Sequence, residues 1–597
     1  MRKTNTSRLL TLCFLLLVFP ASSHAKESWF SVQTKNFTVI GNAGEGDIRK
    51  LSIRLERFRH VISLLFPRAQ IETPVPTTVV LFKNHDSFKP FKPLYNGKPR
   101  ENVGGYFLPS PDVNYIALTA EDRGATPYEV IFHEYEHFIM RANLPNAPVW
   151  LNEGLAEFYS TFATGDDDQK ASLGAPISRH ILTLRESAML PLKTLLEVDR
   201  RSPHYNESRK AGIFYAESWA LIHYLMLSDG GKRQPQLSQF IRGLSDGVPL
   251  EENFRQSFQA DYKTIETELR SYVSKFMFPV LNVTFTKQLD FAKEIESARM
   301  SEAQVQYHLG DLLLRHRRLE EAEERLQKAV ELDSKLAPAY ISLGVLRLQQ
   351  QKQSEAEKLM RTAVESDPDN YLSHFYKGVV LRLGGQNEEA VKAYQQAVKL
   401  KPDAARAFSE LGYAYVSMGK DEEAIEAFKQ SVRLDPKNAY TLRTRSYLYL
   451  RLARGILAAT DGINYIKRQG WGDDHSAFMA LAAHFGFRQQ RNDNPYAAKV
   501  LEDAATKLDA TEWPYPVVQY LRRAITAEKL LEQATTNDKL TEAHAYVGLD
   551  LALEGRDEAA LTHLRWVREN GNRNFVEYPL ALAEIARIEA RAVKRGQ

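Results

Sequence analysis

Four glycines, Gly310, Gly344, Gly378 and Gly412, stand 34 residues apart, and Ala322, Ala356, Ala390 and Ala424 follow them at a constant offset of twelve. Pro368, Pro402 and Pro436 keep the same step. A unit of ~34 residues cannot bury a core alone, so such units must stack, each covering the apolar face of its neighbour. Glycine and alanine at this offset let two antiparallel helices approach closely, and the proline closes each unit before the next helix begins. After Pro436 the pattern decays, with Ser446 and Ala458, then Gly486 with Ala498 and Gly548 with Ala560. The array is expected to reach nearly to the C-terminus, with 471–475 and 512–516 as insertions or turns.

The period and these residues resemble the tetratricopeptide repeat. That resemblance implies an all-α superhelical solenoid over 291–597, regular over about 303–436, whose concave face binds a protein or peptide partner. The alternative, an array that packs only against its own chain, stays open.

The first 25 residues read as an export signal: Arg2, Lys3 and Arg8, an apolar run Leu9–Phe19, Pro20, and Ser23-His24-Ala25 before Lys26. The run is shorter than the ~20 residues that span a bilayer, so no transmembrane anchor is expected in the mature chain, and the protein is expected to be periplasmic or secreted. The single cysteine, Cys13, lies in this segment, which leaves a mature chain suited to an oxidising compartment. Lys and Arg total 78 against 75 Asp and Glu, and loss of the three N-terminal cations leaves 75 of each sign. A neutral chain gives no electrostatic reason to expect nucleic acid or an anionic membrane surface as partner.

Residues 26–290 carry no repeat. Short β-branched runs at 37–40, 77–82 and 114–118 read as strands. Ile48, Leu51, Leu55, Phe58, Ile62 and Leu65 have the spacing of one helix face. Strands followed by helices that hold the chemistry point to an α+β domain.

That chemistry centres on His133-Glu134-Tyr135-Glu136-His137. Thr126-Pro127-Tyr128-Glu129 supplies a capping hydroxyl, a proline at the first helical position and a glutamate at the third, so a helix is predicted through the motif. On it His133 and His137 are about 40° apart and can grip one metal ion, while Glu134, about 100° round, can reach a water on that metal. A catalytic zinc needs a third protein ligand.

Trp150-Leu151-Asn152-Glu153-Gly154-Leu155-Ala156 looks like the second active-site helix of the gluzincin metallopeptidases, and most of 28–280 is similar to the peptidase-MA-like domains of exported bacterial proteins. The resemblance implies an α+β zincin-like metallopeptidase domain, Zn2+ as cofactor and a polypeptide substrate. It makes Glu153 the third ligand and Glu157 the partner of the far nitrogen of His133. It also implies that Glu134 takes a proton from the attacking water and passes it to the leaving amine. Tyr215 is the candidate oxyanion donor, with core packing as its other reading, and His223 a further candidate. Asn114–Leu118 is the expected edge strand for substrate. Glu136 departs from the family pattern, as an outer acceptor or a solvated residue. The runs 166–168 and Arg315–Arg318 read as solvated faces rather than subsites. The first functional reading is therefore an exported zinc metallopeptidase whose repeats bind substrate or partner. The second is a periplasmic scaffold whose peptidase-like domain is inactive.

Overall fold

A computed structural model of the chain describes residues 27–595 apart from 68, 72–74, 102, 122–127, 145–146, 166–168, 207, 286–290 and 292–294. The export segment with Cys13, the Thr126-Pro127 helix start and the acidic run 166–168 lie outside the described residues. The chain forms two compact units, Met1–Arg325 and Leu326–Gln597. No helix among the described residues is long and apolar enough to cross a membrane.

In the first unit, Thr77–Phe82 and Asn114–Thr119 are buried at every position, the mark of central strands covered on both faces. They pair in parallel with each other, and Phe37–Gly41 pairs in parallel with Thr77–Phe82. Antiparallel strands close both ends, giving the order Glu296–Arg299, Phe30–Gln33, Phe37–Gly41, Thr77–Phe82, Asn114–Thr119, Gly105–Leu108. Asn114–Leu118 is therefore not the edge strand. Its residues are paired on both sides, and Gly105–Leu108 takes the edge through the antiparallel hairpin.

Side chains alternate across the sheet. Val39, Val79, Leu81, Ile116 and Leu118 point into the main core, where helix Glu45–Leu65 contributes Ile48, Leu51, Leu55, Phe58 and Ile62. Phe58 stacks on Phe132, and Phe37 meets Tyr135 edge-on, so this core seats helix Glu129–Asn143. Phe82, on the other face, stacks on Phe88 and Phe91. Helix Glu302–Arg315, started by a Ser301–Gln304 capping box, is fixed to the same side. The Tyr115 hydroxyl donates to Asp311 (2.8 Å), and Arg315 reaches Asp311 (3.1 Å) and Asp112 (3.5 Å). Tyr106 meets His316 edge-on, and Arg318 donates to the Pro90 carbonyl. Arg315 and Arg318, with side chains 14% and 12% exposed, are thus anchors rather than part of a solvated face.

The second unit is helical throughout, from pairs such as Ala337–Gln349 with Gln353–Ser366 to the last helix, Glu577–Arg595. The periodic residues mark where paired helices touch. A Cβ on Gly344, Gly378 or Gly412 would lie 2.4, 2.6 or 2.5 Å from Met360, Tyr394 or Phe428, each sixteen residues on, and Ala356, Ala390 and Ala424 are fully buried. Gly548 repeats this against Leu564. Gly486 does not, because it abuts the Gly455 carbonyl and Ala459 on the preceding helix.

Candidate metal centre

Helix Glu129–Asn143 has Tyr128 at its N-cap, with no side-chain cap. It turns Ile131, Phe132, Tyr135 and Ile139 into the core, which leaves His133 and His137 on the face towards helix Val149–Ser160. The second helix is nearly all buried and carries Glu153 and Glu157. It is wedged between the histidine helix and helix Ser208–Leu227, where Gly154 allows contact: a Cβ there would lie 2.5 Å from the Ser218 carbonyl oxygen. Gly105 serves the edge strand in the same way, since a Cβ on it would meet Val130 at 2.7 Å.

These packings bring three donor atoms together. His133 Nε2 and His137 Nε2 are 3.1 Å apart, and Glu153 Oε2 lies 3.5 Å from the first and 3.4 Å from the second. Zinc–nitrogen and zinc–oxygen bonds of about 2.0–2.2 Å at tetrahedral angles place donors about 3.3–3.5 Å apart, so the triangle has the size a tetrahedral ion needs. It is the one group of three or more such donors among the described residues. Glu153 is buried, whereas the histidine side chains are 17% and 21% exposed, which leaves their side open to solvent.

The electrostatics favour a cation. Burial alone would lower His133, but Glu153, Glu157 and Glu134 outweigh it and hold the imidazole at about 9. Burial would raise Glu153 and Glu157, but the histidines, with Arg179 beside Glu157, pull both down to about 2. The acids around His133 thus favour positive charge on that side of the helix pair. Glu157 Oε1 lies 3.7 Å from His133 Nδ1, and its Oε2 lies 3.0 Å from both His180 and Arg179.

Glu134 is raised by burial, and its Oε2 accepts the backbone N–H of Phe107 on the edge strand (3.1 Å). Tyr215 lies beside Tyr205, close enough to feel the Glu153 charge. It hydrogen-bonds Tyr205, and the Tyr205 hydroxyl donates to Glu153 Oε1 (3.1 Å). Burial and the Glu153 charge push Tyr205 up to about 12 and Tyr215 further. His223 has no place in the site. It is fully buried, with Nδ1 2.7 Å from the Tyr272 hydroxyl and Nε2 2.8 Å from the Gly174 carbonyl, and desolvation lowers it to about 4. Glu136 is buried, not solvated, and desolvation pushes it up to about 8. Tyr205, on the short helix Pro203–Asn206, and His180, on helix Ser178–Glu186, were not singled out by the sequence.

Comparison with known proteins separates the two units. Residues 307–371, 341–391, 378–419 and 405–438 match models of the tetratricopeptide repeat. The C-terminal region is a tetratricopeptide-repeat solenoid. Residues 131–251, which span both histidines, Glu153, Glu157, Tyr205 and Tyr215, match a family described as a protein of unknown function (DUF1570). No curated protein matches the chain. Solved structures similar to it include Pseudomonas aeruginosa PilF, 24% identical over 39% of this chain and 98% of that one, with a TM-score of 0.31. MamA of Desulfovibrio magneticus RS-1 is 21% identical over 30% and 100% (TM-score 0.27). YrrB, described as a TPR protein with an unusual peptide-binding site, is 16% identical over 34% and 98% (TM-score 0.29). The tetratricopeptide repeats point to a protein partner.

Proposed function

We propose that the first unit is a zincin-like, zinc-dependent peptidase of an exported protein and that the repeat solenoid binds its protein substrate or a partner. The observation that carries this reading is the triangle of His133 Nε2, His137 Nε2 and Glu153 Oε2, sized for a tetrahedral ion and open on the histidine side. Bound there, zinc would polarise a water and the scissile carbonyl. Glu134, next to the triangle and tied to the edge strand, is the base that takes the water proton and returns it to the leaving amine. Gly105–Leu108 is the outermost strand of the sheet, an edge to which an extended chain can add, with the Phe107 N–H there held by Glu134. The Tyr205–Tyr215 pair supplies hydroxyls beside Glu153, with Tyr215 the candidate donor to the oxyanion and Tyr205 the residue that orients the ligand.

The second reading is a scaffold that works through its repeats, with a peptidase-like unit that cleaves nothing. It is favoured by the matches themselves, which give an interaction module at the C-terminus and a family of unknown function around the histidines. Zinc content and peptide cleavage of the chain from Lys26 onward separate the two. A peptidase holds one zinc, loses it in His137→Ala, and in Glu134→Gln keeps zinc while cleavage of a denatured protein substrate stops. A scaffold takes up no zinc when it is supplied, or cleaves equally little with and without Glu134.

A further inference from the structure

Three buried polar atoms close to the histidine pair have no hydrogen-bond partner: Glu136 Oε2, His137 Nδ1 and the Tyr159 hydroxyl. Native interiors leave few such atoms unmatched, and two facing each other beside a ligand candidate ask for an explanation. Two of the three face each other, with Glu136 Oε2 3.9 Å from His137 Nδ1. On the other histidine the same relation recurs, with Glu157 Oε1 3.7 Å from His133 Nδ1. Each imidazole therefore turns its Nε2 to the Glu153 carboxylate and its Nδ1 to a buried acid on the opposite side.

Resting on the metal-centre reading above, we propose that Glu136 is a positioning residue that accepts the Nδ1–H of His137 when the metal is held, as Glu157, 3.7 Å from His133 Nδ1, is placed to do for His133, so that both ligands are locked in the tautomer that leaves Nε2 free for zinc. A shift of about 1 Å brings the pair to hydrogen-bond length. A carboxyl group keeps acceptor capacity in either protonation state, so the contact needs no particular charge on Glu136. Its side chain is only 5% exposed, and an apolar residue would fill the same core position without an orphaned oxygen. The residue that departs from the motif thus gives the second histidine the support that metal-bound imidazoles generally receive.

The test is zinc competition against a chromophoric chelator, with the chain from Lys26 onward and its Glu136→Gln and Glu136→Leu variants, beside thermal melts of the same proteins freed of metal. Glu136→Leu is expected to weaken zinc by about 10–100-fold while the metal-free melting temperature holds or rises. Glu136→Gln, whose amide oxygen still accepts a hydrogen bond, is expected to lose less. Zinc affinity within twofold of the parent in both variants overturns the assignment, as does a Leu variant that loses melting temperature and not affinity. A parent that binds no zinc overturns the metal-centre reading itself. If the Leu variant does not fold, the Gln variant carries the comparison alone.

Discussion

Replacing Gly154 by alanine tests whether the close approach of two helices sets the position of Glu153. The added Cβ would lie 2.5 Å from the Ser218 carbonyl oxygen, 2.7 Å from Ile222 Cγ1 and 2.9 Å from the Ser218 carbonyl carbon. Two of these are backbone atoms inside a helix and cannot turn away. Reaching an ordinary contact of about 3.4 Å requires helices Val149–Ser160 and Ser208–Leu227 to part by about 0.9 Å, and overpacking of this kind costs about 1–3 kcal/mol. At ~2–4 °C per kcal/mol for a unit of this size, the melting temperature should fall by about 2–12 °C. Glu153 is the adjacent residue and moves with the helix, whereas metal sites hold their ligands to about 0.2 Å, so zinc affinity should weaken on the order of tenfold or more. Gly212→Ala is the control: it lies on the same partner helix, nothing surrounds its missing Cβ, and its stability should hold or rise slightly. Calorimetry of the metal-free proteins and zinc competition read both arms. A Gly154→Ala protein that melts with the parent and binds zinc equally well would refute the reasoning.

Tyr205→Phe removes the hydroxyl that donates to Glu153 Oε1, and zinc affinity should drop several-fold in a competition assay with the fold kept, as a melt would verify. Asp311→Ala removes the acceptor of the buried Tyr115 hydroxyl and one of the two acids on Arg315, which keeps Asp112, and denaturant unfolding should report a loss of about 1–3 kcal/mol from the first unit. In the second unit, burial first and then the Glu577 charge push Glu542 up to about 8, although it accepts the Trp513 indole N–H. A carboxyl whose folded value lies above its unfolded one stabilises most at low pH and loses that contribution as pH rises towards 8. The Glu542 contribution to the melting temperature should therefore grow as pH falls from 8 to 5, against the opposite pull of the buried His484 and His544. Glu542→Gln should flatten that slope and melt above the parent at pH 8, which differential scanning calorimetry across this range would check.

Period and helical spacing were the parts of this molecule open to reading from sequence. His133 and His137 lie on one helix face because four residues make just over one turn, and Glu153 joins them through a short segment recognisable by its own pattern. The repeat glycines are legible because each answers to a bulky side chain at a fixed distance along the chain. What escaped depends on long-range packing. Tyr205 reaches Glu153 across 52 residues from a four-residue helix with no periodic signal of its own. Strand order decided that Gly105–Leu108, not Asn114–Leu118, is the edge, and no local pattern encodes which strand lies outermost. Helical angle placed Glu136 near the histidines, but only the packed neighbours show that it is buried. Arg315 and Arg318 looked like a solvated run because their partners, Asp112 and the Pro90 carbonyl, are about 200 residues away.

The glycines of the solenoid change sides at the fifth helix pair. Up to Gly412 the small residue is on the first helix of a pair and receives a ring or thioether from the second. Beyond it, Ser446 takes that place and donates to the Ala458 carbonyl, while Gly455 and Gly486 meet backbone to backbone across the next interface. Recognisable repeats stop at residue 438, yet paired helices run on to Arg595. The tight contact thus passes from within a pair to between pairs at Gly455 and Gly486, and returns within a pair at Gly548, where Leu564 fills the place of the earlier rings. A helix pair therefore needs only one close approach to stack, and whether a ring, a hydroxyl or a bare backbone fills it decides how much of the repeat pattern the sequence still displays.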